Sequence, residues 1–326
     1  LEKNFEGSVE VEVFSNKNLV IPYAAIMAIY NSKKAMSMTH SYSRIYSKKE
    51  ILDKDTISTG EEACWTIRDT KKIKSFCVFH NGDKICKKQK IKLEITNYLG
   101  NKIKKKFFLH ELKPYETVKL YCSSYFKNLT NFLKKNPGSA SISFKLSNSF
   151  TRMLIGNENI DLSEFQTTHS NFNYSKKKTP GLKSNNGKAV MLVPHYGLKN
   201  QKILLYPNYT NGKYLIHNGK KKIKISESNR KLISIKSKNI KITIEKKNGK
   251  LPLRFVTAFS SKYKKNRIPI EVSRNTRHSQ TPPKRFFFAP CISSKYLKTK
   301  IIINPYRDFC SMKPENCFGI FKFYCS

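Results

Sequence analysis

The sequence predicts a mainly β chain: two tandem antiparallel β-sandwich domains, with one amphipathic helix in the first. Three observations lead there. Apolar residues recur at every second position through much of the chain, Asn-Gly pairs punctuate it, and one polar stretch divides it. Period-two alternation marks a strand with one buried and one wet face. Asn-Gly supplies the positive-φ residues of two-residue hairpin turns. Sheets joined by such turns need a second layer to cover their apolar face.

Each element follows in chain order. If Asn81-Gly82 forms a two-residue loop, His80 faces Asp83 and Cys77 lies directly opposite Cys86. Such a non-hydrogen-bonded pair has Cα atoms about 4.5 Å apart. That is the short end of the disulfide range, so Cys77 and Cys86 are the disulfide candidates. Next, Cys122, Tyr125, Phe126, Leu129, Phe132 and Leu133 fall on a single stripe at helical spacing. With Ser123 or Ser124 as cap and Asn136-Pro137-Gly138 as stop, the spacing predicts a helix near 124–135. Ala140, Ile142, Phe144 and Leu146 then alternate with serines and Lys145 as a strand.

Residues 175–188 (SKKKTPGLKSNNGK) hold Pro180, Gly181 and Asn186-Gly187 with almost nothing apolar, the composition of a linker. They divide the chain into domains 1–174 and 189–326, both of ordinary size, and the eight cysteines fall four on each side. Beyond the linker, Ile223 and Ile225, Ile233 and Ile235, and Ile240, Ile242 and Ile244 alternate with Lys or Ser. Asn211-Gly212, Asn218-Gly219 and Asn248-Gly249 supply turns among them.

Composition bounds the function. A chain of 326 residues with 39% hydrophobic and 12% aromatic residues builds packed cores and is not wholesale disordered. Its longest apolar run, residues 19–30, contains Pro22 and is too short for a membrane helix, which needs about 20 residues. No CxxC occurs, so a closed thiolate zinc site is not expected. Paired cysteines would point to a secreted or surface-associated protein, unpaired ones to the cytoplasm.

Lys and Arg number 63 against 22 Asp and Glu, a formal charge of +41, and only ten of the 63 are Arg. That excess attracts anionic polymers or surfaces. Lys acts as a point charge without the fork that reads bases, so the attraction expected is independent of sequence. The expected carrier is the outer face of the second domain, with Lys222, Lys224, Lys236 and Lys241. Its partner would be an acidic glycan, a nucleic acid or an acidic membrane surface. Arg277, Lys284 and Arg285 stand near Pro282-Pro283 and Phe286-Phe287-Phe288, a loop composition that suits stacking against a sugar or base.

One local pattern repeats. Thr39-His40-Ser41 recurs as Thr168-His169-Ser170, and more weakly as Arg277-His278-Ser279. His40, His169 and His278 would suit a divalent metal, with the flanking hydroxyls as partners of the second ring nitrogen. Otherwise the echo marks an internal repeat or a common way of ending a strand. There is no GxSxG, no phosphate-binding glycine loop, no HExxH and no dinucleotide fingerprint. The expectation is therefore a non-enzymatic binding or structural protein without a cofactor. A metal-dependent enzyme or sensor on the three histidines, and a capsid-like assembly protein, are the alternatives.

Overall fold

The computed structural model describes residues 9, 16, 25–31, 36–42, 57–81, 85–147, 153–161 and 164–169. Beyond these it describes the strand segments 188–194, 201–206, 213–218, 221–226, 231–234, 239–245, 254–261 and 270–275. These residues are mainly β, every ladder is antiparallel, and the two helical segments are short.

The strands of the first half are β1 (Ala25–Asn31), β2 (Met36–Tyr42), β3 (Ile57–Ile67), β4 (Ile73–His80), β5 (Gln89–Thr96) and β6 (Lys102–Leu109). They continue with β7 (Thr117–Tyr121), β8 (Gly138–Ser147), β9 (Leu154–Asn159) and β10 (Glu164–His169). β1 and β2 pair as a hairpin. The remaining eight form two four-stranded sheets, ordered β3-β8-β5-β6 and β7-β4-β9-β10. β2 runs beside β10 without a backbone ladder. Instead Ser37 Oγ accepts from Thr167 N–H at 2.8 Å and donates to Thr167 C=O at 2.9 Å.

Both sheets feed one buried cluster. Trp65, Ile91, Ile95 and Ile142 enter from the first sheet, Cys77, Phe79 and Ile155 from the second. Alternation accounts for it: in β5, Ile91, Leu93 and Ile95 are buried while Lys90 and Lys92 are exposed. Each large apolar side chain so buried contributes roughly 1.5–3 kcal/mol. A bulge between Glu62 and Trp65 shifts the β3–β8 register, and Trp65 beyond it is 1% exposed.

The predicted single helix is instead two turns, α1 (Cys122–Tyr125) and α2 (Leu129–Leu133). Phe126 is extended (φ −134°, ψ 95°), which stops α1, and Lys134 closes α2 in the left-handed region at φ 49°. Ser123 and Ser124 lie inside α1 and do not cap it. The stripe was nevertheless a true core signal, because Cys122, Leu129 and Leu133 are buried. A buried carboxylate fastens the region: Asp69 accepts from Thr130 Oγ1 at 2.7 Å and from Lys74 Nζ at 3.1 Å.

The second half carries β11 (Lys188–Pro194), β12 (Gln201–Tyr206), β13 (Lys213–Asn218), β14 (Lys221–Ser226), β15 (Lys231–Ser234), β16 (Asn239–Glu245), β17 (Arg254–Ser261) and β18 (Ile270–Asn275). Its sheets are ordered β11-β16-β13-β14 and β15-β12-β17-β18. Adding eight to every strand number of the first pair of sheets reproduces the second pair. The two halves therefore share one strand order. They differ in the length between the fifth and sixth strands: residues 122–137 carry α1 and α2, whereas four residues, 235–238, separate β15 from β16.

The Asn-Gly pairs divide accordingly. Asn218 pairs with Lys221 across a tight β13–β14 hairpin, so it ends the strand and is not, as expected, the first of the two loop residues. Asn211-Gly212 and Asn248-Gly249 instead fall where the chain passes from one sheet to the other. Asn81 is fully buried and belongs to no hairpin turn: its Nδ2 donates to Leu112 C=O at 3.2 Å and to Lys113 C=O at 2.7 Å. The linker 175–188 and the domain division it implies lie outside the described residues up to Lys188, where β11 begins.

Candidate anion-binding face

Among the described residues, a row of charge lies on the β5–β6 hairpin at the edge of its sheet. Register places Lys90 opposite Phe108, Lys92 opposite Lys106, Glu94 opposite Lys104 and Thr96 opposite Lys102. Apart from Thr96, which is buried, these residues share the outer face, since the intervening Ile91, Leu93 and Ile95 are buried. Lys90, Lys92, Lys102, Lys104 and Lys106 are all exposed.

Glu94, the acid of this row, bridges Lys104 at 3.3 Å and Lys102 at 3.5 Å. Lys90, Lys92 and Lys106 engage no carboxylate among the described residues. Lys92 and Lys106 face each other directly, an arrangement that costs stability and that a bound anion would relieve. Lysines on an edge strand also keep other strands from adding to the sheet. Phe108 projects among them with 61% of its surface exposed, and Lys88 Nζ lies 4.9 Å from its ring centre.

The other sheet has a cation already neutralised. Glu158 accepts from Lys119 Nζ at 2.7 Å and from the Tyr121 hydroxyl, and Lys119 Nζ lies 4.4 Å from the Phe76 ring centre. Burial works against the Lys119 charge, yet the hydrogen bonds to Glu158 and Tyr121 hold its pKa above the usual lysine value. Burial, then the bond to Glu158, pushes the Tyr121 hydroxyl up. This is a closed cluster with little to offer an incoming anion.

Of the sequence-predicted ligand residues, Lys222 and Lys224 stand exposed on β14. Lys241 on β16 joins them in register: Leu192, Lys241, His217 and Lys222 follow one another across β11, β16, β13 and β14. Lys236, Arg277, Lys284 and Arg285 lie outside the described residues. In the shared strand order β14 is the counterpart of β6, so the two lysine-bearing edges occupy equivalent places. The sequence reading named lysines of the second edge and none of the first.

The histidine echoes stand on neighbouring strands, His40 in β2 and His169 at the end of β10, while His278 lies outside the described residues. Their register positions are not equivalent. His40 is four residues beyond Met36, the first paired residue after its turn, and His169 is five beyond Glu164. Among the described residues no group of three His, Cys, Asp or Glu side chains is placed to hold a metal.

Cys77 and Cys86 do not face each other. Cys77 pairs with Leu120 on one side and Ile155 on the other, which occupies both edges of β4 at that point. Cys86 bridges Leu112, and its thiol donates to Lys87 C=O at 3.6 Å. The buried Asn81 amide is the reason: it ties β4 to the 112–113 backbone where a two-residue turn would have led to Cys86.

No protein-family model matches the chain, and none of the curated proteins matches it either. No helix among the described residues is long and apolar enough to cross a membrane.

Proposed function

We propose that the chain is a non-enzymatic binding protein that holds an anionic partner on lysine-bearing sheet edges. Two tandem β-sandwich domains, 1–174 and 189–326, would carry those edges. One observation supports the reading above the rest: β6 and β14, equivalent in strand order, both present exposed lysines. A net charge of +41 adds a long-range field that draws polyanions in.

The test measures affinity of the full chain for an acidic glycan, single-stranded DNA and vesicles containing acidic lipid, at several salt concentrations. Binding should weaken steeply with salt, the signature of released counterions. Lys90→Glu with Lys106→Glu, and separately Lys222→Glu with Lys224→Glu, should each lower affinity and flatten the salt slope. Binding that ignores salt, or no binding to any of the three, would overturn the reading.

A metal-dependent sensor or enzyme on His40, His169 and His278 is the second reading, favoured by the adjacency of β2 and β10. Elemental analysis without stoichiometric metal ends it.

A further inference from the structure

The β4–β5 and β6–β7 connections meet at one end of the first pair of sheets and are tied to each other. Cys86 and Leu112 exchange both backbone hydrogen bonds at 2.9 Å, and Asn81 N–H donates to Glu116 C=O at 2.9 Å. Glu116 N–H closes a turn onto Lys113 C=O at 3.1 Å, with Tyr115 held at φ 60°. On this fastened end large apolar side chains face water. Ile85 is 59% exposed, Tyr115 50%, and Phe108, one residue from the end of β6, 61%.

Exposed Lys88, Lys90, Lys106 and Lys113 accompany them. Among the described residues the acids there are Glu111, which is exposed, and Glu116, whose carboxylate is taken up by His110 at 2.8 Å and by Lys113 N–H at 2.7 Å. Single exposed apolar residues are ordinary, but three toward one end of the sheets, accompanied by lysines, give that end a mixed character. Apolar tips inserted at the headgroup boundary, with cations on the headgroups, is how amphipathic surfaces bind anionic bilayers. A soluble polyanion would use the lysines and leave Ile85 and Tyr115 in water.

We propose that this end docks on a bilayer carrying anionic lipid, with Ile85, Phe108 and Tyr115 entering the headgroup boundary and the four lysines meeting lipid anions. The proposal rests on the anionic-partner reading and narrows it to a lipid surface.

The experiment uses the full chain with vesicles of phosphatidylcholine, with and without phosphatidylserine, and with heparin as a soluble polyanion. The parent should sediment with phosphatidylserine vesicles and much less with phosphatidylcholine alone. Ile85→Ser combined with Tyr115→Ser should weaken vesicle binding roughly tenfold or more and leave heparin affinity unchanged. As a second readout, Phe108→Trp should show blue-shifted emission on phosphatidylserine vesicles. Parental vesicle binding by the double variant, or an unshifted emission from the Phe108→Trp chain, would overturn the proposal. Heparin or single-stranded DNA binding without vesicle binding would overturn it while leaving the anionic reading intact. Failure on all of them removes both.

Discussion

Asn81 holds two carbonyls of the β6–β7 connection with one amide group, inside the protein where water cannot replace it. Asn81→Ala should therefore cost about 1–3 kcal/mol, seen as a lower denaturant midpoint with unchanged slope. A second residue-scale effect concerns acid–base balance. Burial pushes the Cys77 thiol up to about 12, against an ordinary value of 9.0. The folded chain keeps a proton that the unfolded chain releases above about pH 9. The Cys77 contribution to stability is thus complete below pH 9 and drains away as pH rises toward 12. Cys122 is shifted in the same direction, by burial first and then by the nearness of Cys77. Unfolding midpoints measured across that window should fall less steeply for Cys77→Ala than for the parent.

Gly156 in β9 sits directly beneath the Phe76 ring. A Cβ there would stand 2.5 Å from the ring and collide with the Gln166 carbonyl. The ring can shift, but the carbonyl belongs to the β9–β10 ladder and cannot, so Gly156→Ala should destabilise by about 1–3 kcal/mol. Thermal unfolding reads this directly, and Phe76→Leu in the same chain should restore only part of the loss. β9 also shows why some elements escape a reading of the sequence. Its Asn157 and Asn159 are buried, and Asn157 donates to Thr66 C=O at 2.9 Å, so polar residues occupy inward positions that alternation assigns to apolar ones. β6 hides differently: Lys105 stands opposite the buried Leu93, and Lys104-Lys105-Lys106 then reads as a solvated charge run. Where inward positions were regularly apolar, as at Ala140, Ile142 and Phe144 in β8, the strand was legible. At 122–133 the stripe identified what is buried, but an extended Phe126 is set by tertiary packing and leaves no mark on the spacing.

For the molecule as a whole, lysine-bearing edges at equivalent places in both halves make salt the informative variable. If both edges touch one polyanion, reversing the charge of either pair should reduce the slope of log affinity against log salt, and reversing both should reduce it by about the sum. Titrations at several ionic strengths measure this, and a slope that responds to only one edge would assign the contact to that half alone. The shared strand order also sets the timing of synthesis. Ile67 pairs with Gly138 and Ile57 with Ser147, so β3 waits roughly 70 to 90 residues for β8. At ribosomal speeds of about 5–20 residues per second, that is about 4 to 18 s with neither edge paired. In the second half Pro194 pairs with Asn239 and Lys188 with Glu245, a delay of roughly 45 to 57 residues. The nascent chain thus exposes its first unfinished strand longest, and the burden on chaperones falls mainly on the half that is made first.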